Sequence, residues 1–273
     1  MTRVSVLMSV YNGEPWVRQA IESVLVQTFS DFEFFVVDDG STDGTAGVLD
    51  ACSDPRLRIF HQPRVGLTRS LNRTIPLAAA PLVARMDADD MSHPERFARQ
   101  VAFLDAHPEV GLLGTGCETI APSGEVIGTV APLVDDAAIR RALIRMNPFV
   151  HSSVMVRRQI LEEAGGYDES LPVAQDYDLW LRASRLTRMA NLPEPLVQRR
   201  LTPGRVSNVL ETDRLRAEVR AKVRALQTGA YPLWCAVFLA KPILSLALPV
   251  AVRRRLRPLF SRERSERAAF HTR

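Results

Sequence analysis

Three aspartates, Asp87, Asp89 and Asp90, lie within four positions, directly after the apolar run PLVARM. Carboxylates this close together repel one another unless a cation or hydrogen bonds compensate their charge. Their hard oxygen atoms suit Mg²⁺ or Mn²⁺ better than Zn²⁺. The aspartates could instead belong to a solvated loop that caps the next helix. We expect Ser92 to be that cap, so three acids are more than capping requires, and the pattern predicts a metal–diphosphate site.

The elements that must position these acids alternate between strand-like and helix-like patterns over the first hundred residues. The predicted strands are 4–10, 32–37, 57–62 and 81–86, and the predicted helices are 14–27, 45–53, 67–78 with a break near Pro76, and 92–107. This alternation predicts a parallel sheet with helices on both faces, whose ligands bind at the carboxyl ends of the strands. Polar clusters follow three of the strands, at Ser9-Tyr11-Asn12, Asp38-Asp39 and Asp87-Asp89-Asp90.

The alternation weakens after residue 110. The pattern there predicts a hairpin over 110–120 and 125–130, a strand entering a helix at 151–158, a helix starting near Asp176, a strand at 194–201 and a charged helix at 211–227. No GxGxxG or GxxxxGK[ST] follows any predicted strand, so neither a dinucleotide-binding Rossmann site nor a P-loop is expected.

The ordered set of motifs YNG, QTFSDFE, DDGSTDGT, DADD and QDYDLWLR resembles family 2 glycosyltransferases over roughly residues 3–205. The resemblance implies an α/β GT-A fold, with a Rossmann-like, mostly parallel sheet, helices on both faces and a helical C-terminal extension. It implies a catalytic domain at 1–205, with a nucleotide-binding half at about 1–107 and an acceptor half at about 108–205. Residues 206–273 would form the basic extension.

The same resemblance implies an inverting enzyme that transfers a sugar from a nucleotide-diphosphate sugar to a hydroxyl acceptor, using Mg²⁺ or Mn²⁺. The acceptor would be a saccharide or a lipid-linked molecule, in the synthesis of cell-surface or extracellular polysaccharide or glycolipid. Two alternatives are a non-catalytic nucleotide-sugar-binding protein and a sugar-phosphate nucleotidyltransferase. The second favours a glycine-rich, basic N-terminal loop, which SVYNGEPW is not, and the first would tolerate loss of Asp89 or Asp176.

The resemblance also assigns the nucleotide and metal residues. Asp39 would accept a hydrogen bond from the N3–H of a uracil-like base, which favours UDP or dTDP, although an Asx turn also explains it. Ser9 and Tyr11 would flank the base, and Tyr11 is either a stacking residue or a core tyrosine. Asp87 would lie near the ribose or the metal, and Asp89 would bind the metal.

The segment QDYDLW resembles the family segment that carries the catalytic base, which would be Asp176 here. Gln175 stands where the family usually has glutamate. A helix N-terminal acid, a role that Asp178 could share, also explains Asp176. His151 could ligate the metal, contact a phosphate or serve as a structural histidine. Gly165-Gly166-Tyr167 would form a tight turn beside the sugar or a helix C-cap.

The 273-residue chain has a net charge of +4, but residues 253–273 alone carry eight arginines and two glutamates. Residues 1–252 therefore have a net charge of −2, which predicts no nucleic-acid partner. Three scattered cysteines indicate a reducing cytosol, and no secretory signal is expected at the N-terminus.

The apolar run 232–252 contains Lys241-Pro242 and precedes RRRLR, so it would lie on a membrane surface, pack on the catalytic domain or span a bilayer. We expect a cytoplasmic protein, peripheral at an anionic membrane through 232–257.

Overall fold

The strands of the computed structural model join into one sheet. The model describes residues 2–202, 210–249 and 253. Within these residues the strands are β1 (Val4–Val10), β2 (Phe32–Asp39), β3 (Leu57–Gln62), β4 (Leu82–Arg85), β5 (Met91–Ser92), β6 (Val110–Ile120), β7 (Val126–Val130), β8 (Met155–Arg157) and β9 (Arg188–Arg200).

The helices lie between these strands and after the last one. The α-helices of the described residues are α1 (Val17–Leu25), α2 (Thr45–Asp50), α3 (Leu67–Thr74), α4 (Arg96–Ala106), α5 (Asp136–Leu143), α6 (Arg158–Glu163), α7 (Gln175–Ala183), α8 (Glu211–Gln227) and α9 (Ala240–Ala247). Short 3₁₀ helices occupy Ile75–Leu77, His151–Ser153 and Leu233–Leu239.

The strand order is β3-β2-β1-β4-β8-β6-β9-β5, with β7 paired to β6. Strands β1 to β4 are parallel to one another, whereas β4–β8, β8–β6, β6–β7 and β9–β5 are antiparallel and β6–β9 is parallel. The predicted α/β class is confirmed, with a parallel first half and a mixed second half. The connections reverse direction between β1 and β4, and ligands of such sheets bind in the crevice at that point.

Alternation along the central strands divides the core into two apolar layers. On β1, Val6 and Met8 belong to one layer and Leu7 to the other, because successive side chains point to opposite faces. The first layer packs under α1 and α4, through residues such as Ile21 and Phe97. The other layer packs under α3 and α5 to α8. The sheet is therefore covered on both faces, as predicted.

The predicted N-cap at Ser92 is wrong. Ser92 lies in β5, opposite Val197 of β9, and its hydroxyl accepts a hydrogen bond from Gln27 Nε2 at 3.1 Å. Pairing with β9 keeps the chain extended here, so α4 begins only at Arg96. The backbone N–H of Phe97 instead donates to Gln27 Oε1 at 3.0 Å, so a residue 70 positions away satisfies the first turn of the helix.

Helix α8 packs into this core. Ala221, Ala225 and Leu226 belong to the same apolar layer as Trp180 of α7. The buried Lys222 donates from Nζ to Glu218 at 2.7 Å and to two backbone carbonyls, those of Arg145 at 3.2 Å and Phe238 at 3.3 Å. The first helix of the C-terminal extension is thus held both by apolar packing and by a satisfied buried charge.

An ion-pair cluster also fastens α8 to α7. Arg224 donates to Asp178 Oδ1 at 2.8 Å and to Asp168 Oδ2 at 2.9 Å. Arg182 donates to the other oxygen of Asp178 at 2.8 Å. Because the Asp178 side chain is only 1% exposed, both of its oxygens depend on these arginines.

Replacing Arg224 with methionine is expected to lower the free energy of unfolding by about 2 kcal/mol, because it leaves a buried carboxylate oxygen without its donor. Urea unfolding followed by circular dichroism measures this loss. Arg216→Met is the matched control on the same helix, since Arg216 pairs only at the surface with Asp213 at 3.2 Å. The control should change stability by less than about 0.5 kcal/mol. Equal losses in the two variants would contradict the role of the cluster.

The apolar run that begins at residue 232 forms two short helical pieces instead of one long helix. Leu233–Leu239 is a 3₁₀ helix, and α9 continues from Ala240 to Ala247. No helix within the described residues combines the length and apolarity needed to cross a bilayer. Arg253 is described, but the rest of the predicted basic tail, 254–273, lies outside the described residues.

Candidate active site

Two of the sequence motifs form one rim at the carboxyl edge of the sheet. Asn12, with φ of 51°, accepts from the Thr42 backbone N–H at 2.8 Å and donates from its own N–H to Ser41 Oγ at 3.0 Å. Glu14 Oε2 accepts from the Gly44 N–H at 2.9 Å. The YNG turn after β1 and the DDGSTDGT loop after β2 therefore hold each other in place beside the crevice.

Asp39 lies at the end of β2 and is almost fully buried. Its Oδ1 accepts from Gln62 Nε2 at 2.9 Å and from the Val65 N–H at 2.8 Å, and its Oδ2 accepts from the Gly66 N–H at 2.8 Å. None of these donors lies two residues after Asp39, as the alternative Asx turn requires. The neighbouring Asp38 caps the loop instead, since its Oδ1 accepts from the Ser41 N–H at 3.0 Å. Asp39 therefore anchors the loop before α3, and its predicted contact with a base stays a prediction.

Ser9 and Tyr11 lie at and just beyond the end of β1. Ser9 is buried next to Val37 of β2. Tyr11 is 38% exposed, and the Arg64 guanidinium lies 3.7 Å from the centre of its ring. This exposure excludes a core tyrosine. An aromatic ring paired with an arginine at this edge is a surface on which a planar base can stack.

Asp87 follows β4, the strand that pairs with β1. One oxygen pairs with the buried Arg85, and the other accepts from Ser152 Oγ at 2.8 Å. The side chain is still 34% exposed. Ser152 comes from the 3₁₀ helix before β8, so the second half of the sheet positions the acids of the first half.

Asp90 points into the protein instead of toward the crevice. Its Oδ1 accepts from the Arg200 N–H at 2.9 Å, and its Oδ2 lies 2.5 Å from Ser152 Oγ. Burial raises the pKa of Asp90 to about 8, and the charges of Asp87 and Asp89 act in the same direction. A protonated Asp90 can donate to Ser152 Oγ, which leaves the serine hydroxyl free to donate to Asp87.

Arg200 supports the loop that carries Asp89 and Asp90. The sequence analysis did not identify it as a residue of the site. It is buried, and its Nε donates to the backbone carbonyl of Asp89 at 3.1 Å. Its guanidinium also reaches the carbonyl of Pro122 at 2.9 Å and Gln19 Oε1 at 3.0 Å, and it lies 4.4 Å from the centre of the Trp16 ring. The carboxyl group of Asp89 contacts Thr202 Oγ1 at 3.2 Å. The only signal in the sequence was an arginine inside a predicted strand.

The donor set of the site fits a divalent cation that the protein holds only in part. Asp87 and Asp89 are hard oxygen donors at a partly exposed edge. The described residues contain no group of three or more acidic, histidine or cysteine side chains that would cage a metal ion without further ligands. Magnesium-like ions are commonly held by one or two carboxylates, with phosphate oxygens and water completing the shell.

Asp176 lies in the first turn of α7, after Ala174, which adopts a left-handed conformation with φ of 57°. Its Oδ2 accepts from Asn147 Nδ2 at 2.7 Å. Burial raises the pKa of Asp176. The hydrogen bonds from the Tyr177 N–H and from Asn147 oppose that shift, and the charge of Asp87 adds to it. Asn147, in the turn RMNPF, was not predicted from the sequence, where only its Asn-Pro dipeptide marks a turn.

His151 lies between α7 and the glycine turn. Its Nε2 is 2.9 Å from the Tyr167 hydroxyl, and its ring packs edge-on against Trp180. Burial lowers the pKa of His151 to about 3, with the charge of Arg85 acting in the same direction and that of Asp87 opposing it. The imidazole is therefore neutral at physiological pH. A structural role is satisfied by these contacts, and its roles toward a metal or phosphate stay predictions.

The predicted residues from the two halves of the chain meet in one place. The charge of Asp87 raises the pKa of Asp176, and both carboxylates act in the same way on Tyr167. These groups share one electrostatic environment although they are separated by 89 positions in the sequence. Asp178 lies outside this group, because its carboxylate is taken up by Arg182 and Arg224.

The fold is shared with solved glycosyltransferases. Over 92% of this chain and 77% of the other, it superposes on Staphylococcus aureus TarS 1-349 in complex with UDP-GlcNAc, with a TM-score of 0.73 and 19% sequence identity. The mannosyltransferase PcManGT from Pyrobaculum calidifontis, solved with GDP-Man and Mn²⁺, gives a TM-score of 0.63 at 20% identity over 95% of this chain and 80% of that one. The chain therefore has the expected GT-A architecture.

Sequence comparison gives the family. Residues 5–164 match the model of glycosyl transferase family 2. The putative glycosyltransferase EpsE of Bacillus subtilis is 30% identical over 93% of this chain and 92% of its own length. The amylovoran biosynthesis glycosyltransferase AmsE of Erwinia amylovora is 32% identical over 82% of this chain and 87% of its own. This chain is a glycosyltransferase that belongs to glycosyl transferase family 2.

Proposed function

We propose that this enzyme transfers a sugar from a nucleotide-diphosphate sugar to an acceptor hydroxyl in one inverting displacement, with Asp176 as the base. One observation carries the proposal. One short segment contacts both carboxylates, since Asn147 donates to Asp176 at 2.7 Å and Ser152 donates to Asp87 of the DADD loop at 2.8 Å. In this proposal, a donor whose diphosphate binds at the DADD loop presents its anomeric carbon on the side of the crevice where Asp176 lies.

The donor would bind across the crevice between β1 and β4. Its base would stack beside Tyr11 and Arg64, near Ser9 and Asp39, and its diphosphate would lie toward Asp87 and Asp89. A carboxylate that accepts the N3–H of the base favours UDP or dTDP. TarS was solved with UDP and UDP-GlcNAc, and PcManGT with GDP-Man, so related folds take more than one base.

Mg²⁺ or Mn²⁺ would be held at Asp89 and Asp87, with His151 as a further candidate ligand. Such a cation, when bound, neutralises the charge of a leaving diphosphate. The oxygens of Asp87 are engaged by Arg85 and Ser152. In this proposal Asp89 is the leading ligand, and Asp87 supports it or contacts the ribose.

The chemical step needs only the acceptor hydroxyl, the donor and Asp176. The hydroxyl oxygen forms a bond to the anomeric carbon, while the bond from that carbon to the phosphate oxygen breaks on the opposite face. Asp176 takes the hydroxyl proton, and the nucleoside diphosphate leaves with the bond electrons. Burial raises the pKa of Asp176 and so makes it a stronger base, which suits this role because a stronger base accepts the hydroxyl proton more readily.

The relatives and the basic C-terminal sequence support a proposal about the biosynthetic pathway and the place where the enzyme works. AmsE is named for amylovoran biosynthesis, and we propose a similar place in cell-surface or extracellular polysaccharide or glycolipid synthesis. The acceptor would be a saccharide or a lipid-linked molecule, used at the cytoplasmic face of a membrane. We propose the division into a nucleotide-binding half at about 1–107, an acceptor half at about 108–205 and an extension from 206.

Calorimetric titration of UDP, dTDP and GDP, each with and without Mn²⁺, tests the donor site. Tight binding of UDP or dTDP that requires the metal is the expected result. The release of nucleoside diphosphate from the matching sugar nucleotide, measured in the same buffer, separates an enzyme from a non-catalytic binder. Formation of a sugar nucleotide from nucleoside triphosphate and sugar phosphate would instead favour the nucleotidyltransferase. Binding of none of the three nucleotides would overturn the proposal.

Asn147→Ala is expected to move the acid limb of the pH–rate profile to higher pH. The Asn147 amide donates to Asp176 and lowers its pKa, so without it the base stays protonated up to a higher pH. The loss of one hydrogen bond to a charged group should reduce turnover at low pH by roughly tenfold or more. Rates measured from pH 5 to pH 9 at saturating donor report this shift.

Asn147 also has a structural contact, since its Oδ1 accepts from the Phe149 N–H at 3.1 Å. A purely structural effect would lower the rate by the same factor at every pH. A rate that recovers toward the wild-type value as pH rises identifies the electrostatic role, and a uniform loss argues against it.

A further inference from the structure

The C-terminal segment presents an apolar surface to solvent. Six large apolar side chains of residues 233–248 are between 38% and 76% exposed. They are Leu233, Trp234, Val237, Ile243, Leu244 and Leu248. We call these six residues the apolar face. Apolar side chains exposed together in this way mark an interaction site more often than a neutral feature of the surface.

The opposite side of the same segment is fixed to the protein. Cys235 and Pro242 are buried, and the Phe238 carbonyl accepts from Lys222 Nζ at 3.3 Å. The guanidinium of Arg145 lies 4.7 Å from the centre of the Phe238 ring. The segment is therefore amphipathic and anchored, and the apolar face is held outward by contacts on its inner side.

The amino-acid sequence of this segment and of the residues that follow it, up to position 257, carries charge of one sign. Residues 232–257 contain five cations, Lys241 among them, and no acidic residue. On helix α8, Arg216 and Arg220 line a groove of about 470 Å³ together with Leu246 of α9. Half or more of each arginine side chain is exposed, and they pair with Asp213 and Asp168. Exposed apolar side chains that include a tryptophan, in a segment followed by a run of arginines in the sequence, are typical of segments that bind anionic bilayer surfaces.

We propose that the apolar face docks on an anionic lipid bilayer, with its side chains in the headgroup region and the cations beside the lipid phosphates. The absence of acidic residues over 232–257 decides for this occupant over a second copy of the chain, because such a copy would bring the same positive charge against it. The proposal deepens the proposed function and rests on it in one respect, since a lipid-linked acceptor would then be met at the bilayer.

Vesicle flotation of the full chain tests the proposal. The probes are two kinds of vesicle at the same lipid concentration. One is phosphatidylcholine alone, and the other is phosphatidylcholine with about 30 mol% phosphatidylglycerol. We expect at least roughly tenfold stronger binding to the anionic vesicles, weakened by 0.5 M salt, because exposed charges are screened. The double variant Trp234→Ser/Leu244→Ser should lose this binding by roughly tenfold or more, since it removes two large side chains from the apolar face.

Val26→Ser is the matched control, because Val26 is an apolar residue, 61% exposed, at the end of α1 and outside the segment. It should bind vesicles as the wild type does. Equal binding by the wild type and the double variant overturns the proposal, and so does a wild-type dimer that the double variant turns into a monomer without any vesicle binding. Nucleotide titration of the same samples keeps the two proposals apart, because the double variant should retain nucleotide binding.

Discussion

Asp176→Asn is expected to lower sugar transfer by about 10²–10⁴-fold, the usual contribution of a positioned general base. Asparagine keeps the size of the side chain and can still accept from Asn147 Nδ2, so the geometry of the first turn of α7 should persist. It cannot take the proton of the acceptor hydroxyl. Nucleotide affinity should remain within about twofold, because an interaction that is made only in the transition state affects turnover and not ground-state binding.

Stability should not fall in the same variant. The pKa of Asp176 is raised in the folded protein, chiefly by burial. A carboxyl group whose pKa is raised on folding costs stability at pH values above its unfolded pKa, where it must ionise in a poor environment, and this cost disappears below that pKa. At pH 7, asparagine removes the cost, so the variant should be as stable as the wild type or more stable. Loss of activity without loss of stability is the signature of a functional carboxylate.

The measurements are donor turnover at saturating acceptor, nucleotide titration and urea unfolding at pH 7. The wild-type rate should also fall as pH is lowered through the pKa of Asp176, and this acid limb should be absent from the residual rate of the variant. Transfer by Asp176→Asn at near wild-type rate would show that another group takes the proton. Equal loss of transfer and of folding stability would assign Asp176 a structural role.

Local sequence patterns predicted most of the helices and strands, because these elements depend on residues that are close together in the chain. Apolar residues three and four positions apart gave α1, and Pro76 marked the end of α3 as expected. The charged helix α8 begins and ends where its pattern predicts. The antiparallel pairs in the second half of the sheet were less visible, because β8 has only three residues and its partners lie far away in sequence.

The supporting side chains of the site could not be predicted, because each comes from a distant part of the chain. Ser152 acts on Asp87 from 65 positions away, and Arg200 reaches the Asp89 carbonyl from 111 positions away. The same limit explains the error at Ser92. A serine ahead of Pro94 and Glu95 has the pattern of a helix cap, but pairing with β9 overrides it. Motifs identified the acids of the site, while only tertiary structure separates their roles.

The roles of the acids differ most between Asp89 and Asp90. Asp89→Asn is expected to weaken metal-dependent nucleotide binding by roughly 100-fold, since even groups that only support metal ligands contribute 10–100-fold to metal affinity. An amide oxygen is a poorer ligand for a hard cation than a carboxylate, because it carries no charge. Binding measured without Mn²⁺ should change little. Calorimetric titration of the preferred nucleotide with and without Mn²⁺ gives both values.

Asp90→Asn is the matched control, because it makes the same chemical change one residue along the loop. Asp90 is buried, its Oδ1 accepts from the Arg200 N–H, and its raised pKa indicates a neutral acid. Asparagine reproduces those contacts, with Oδ1 toward Arg200 and Nδ2 donating to Ser152 Oγ. Metal-dependent binding should therefore stay within about threefold of wild type, less than 1 kcal/mol. A loss as large as that of Asp89→Asn would place the cation on Asp90, and equal retention in both variants would remove it from the loop.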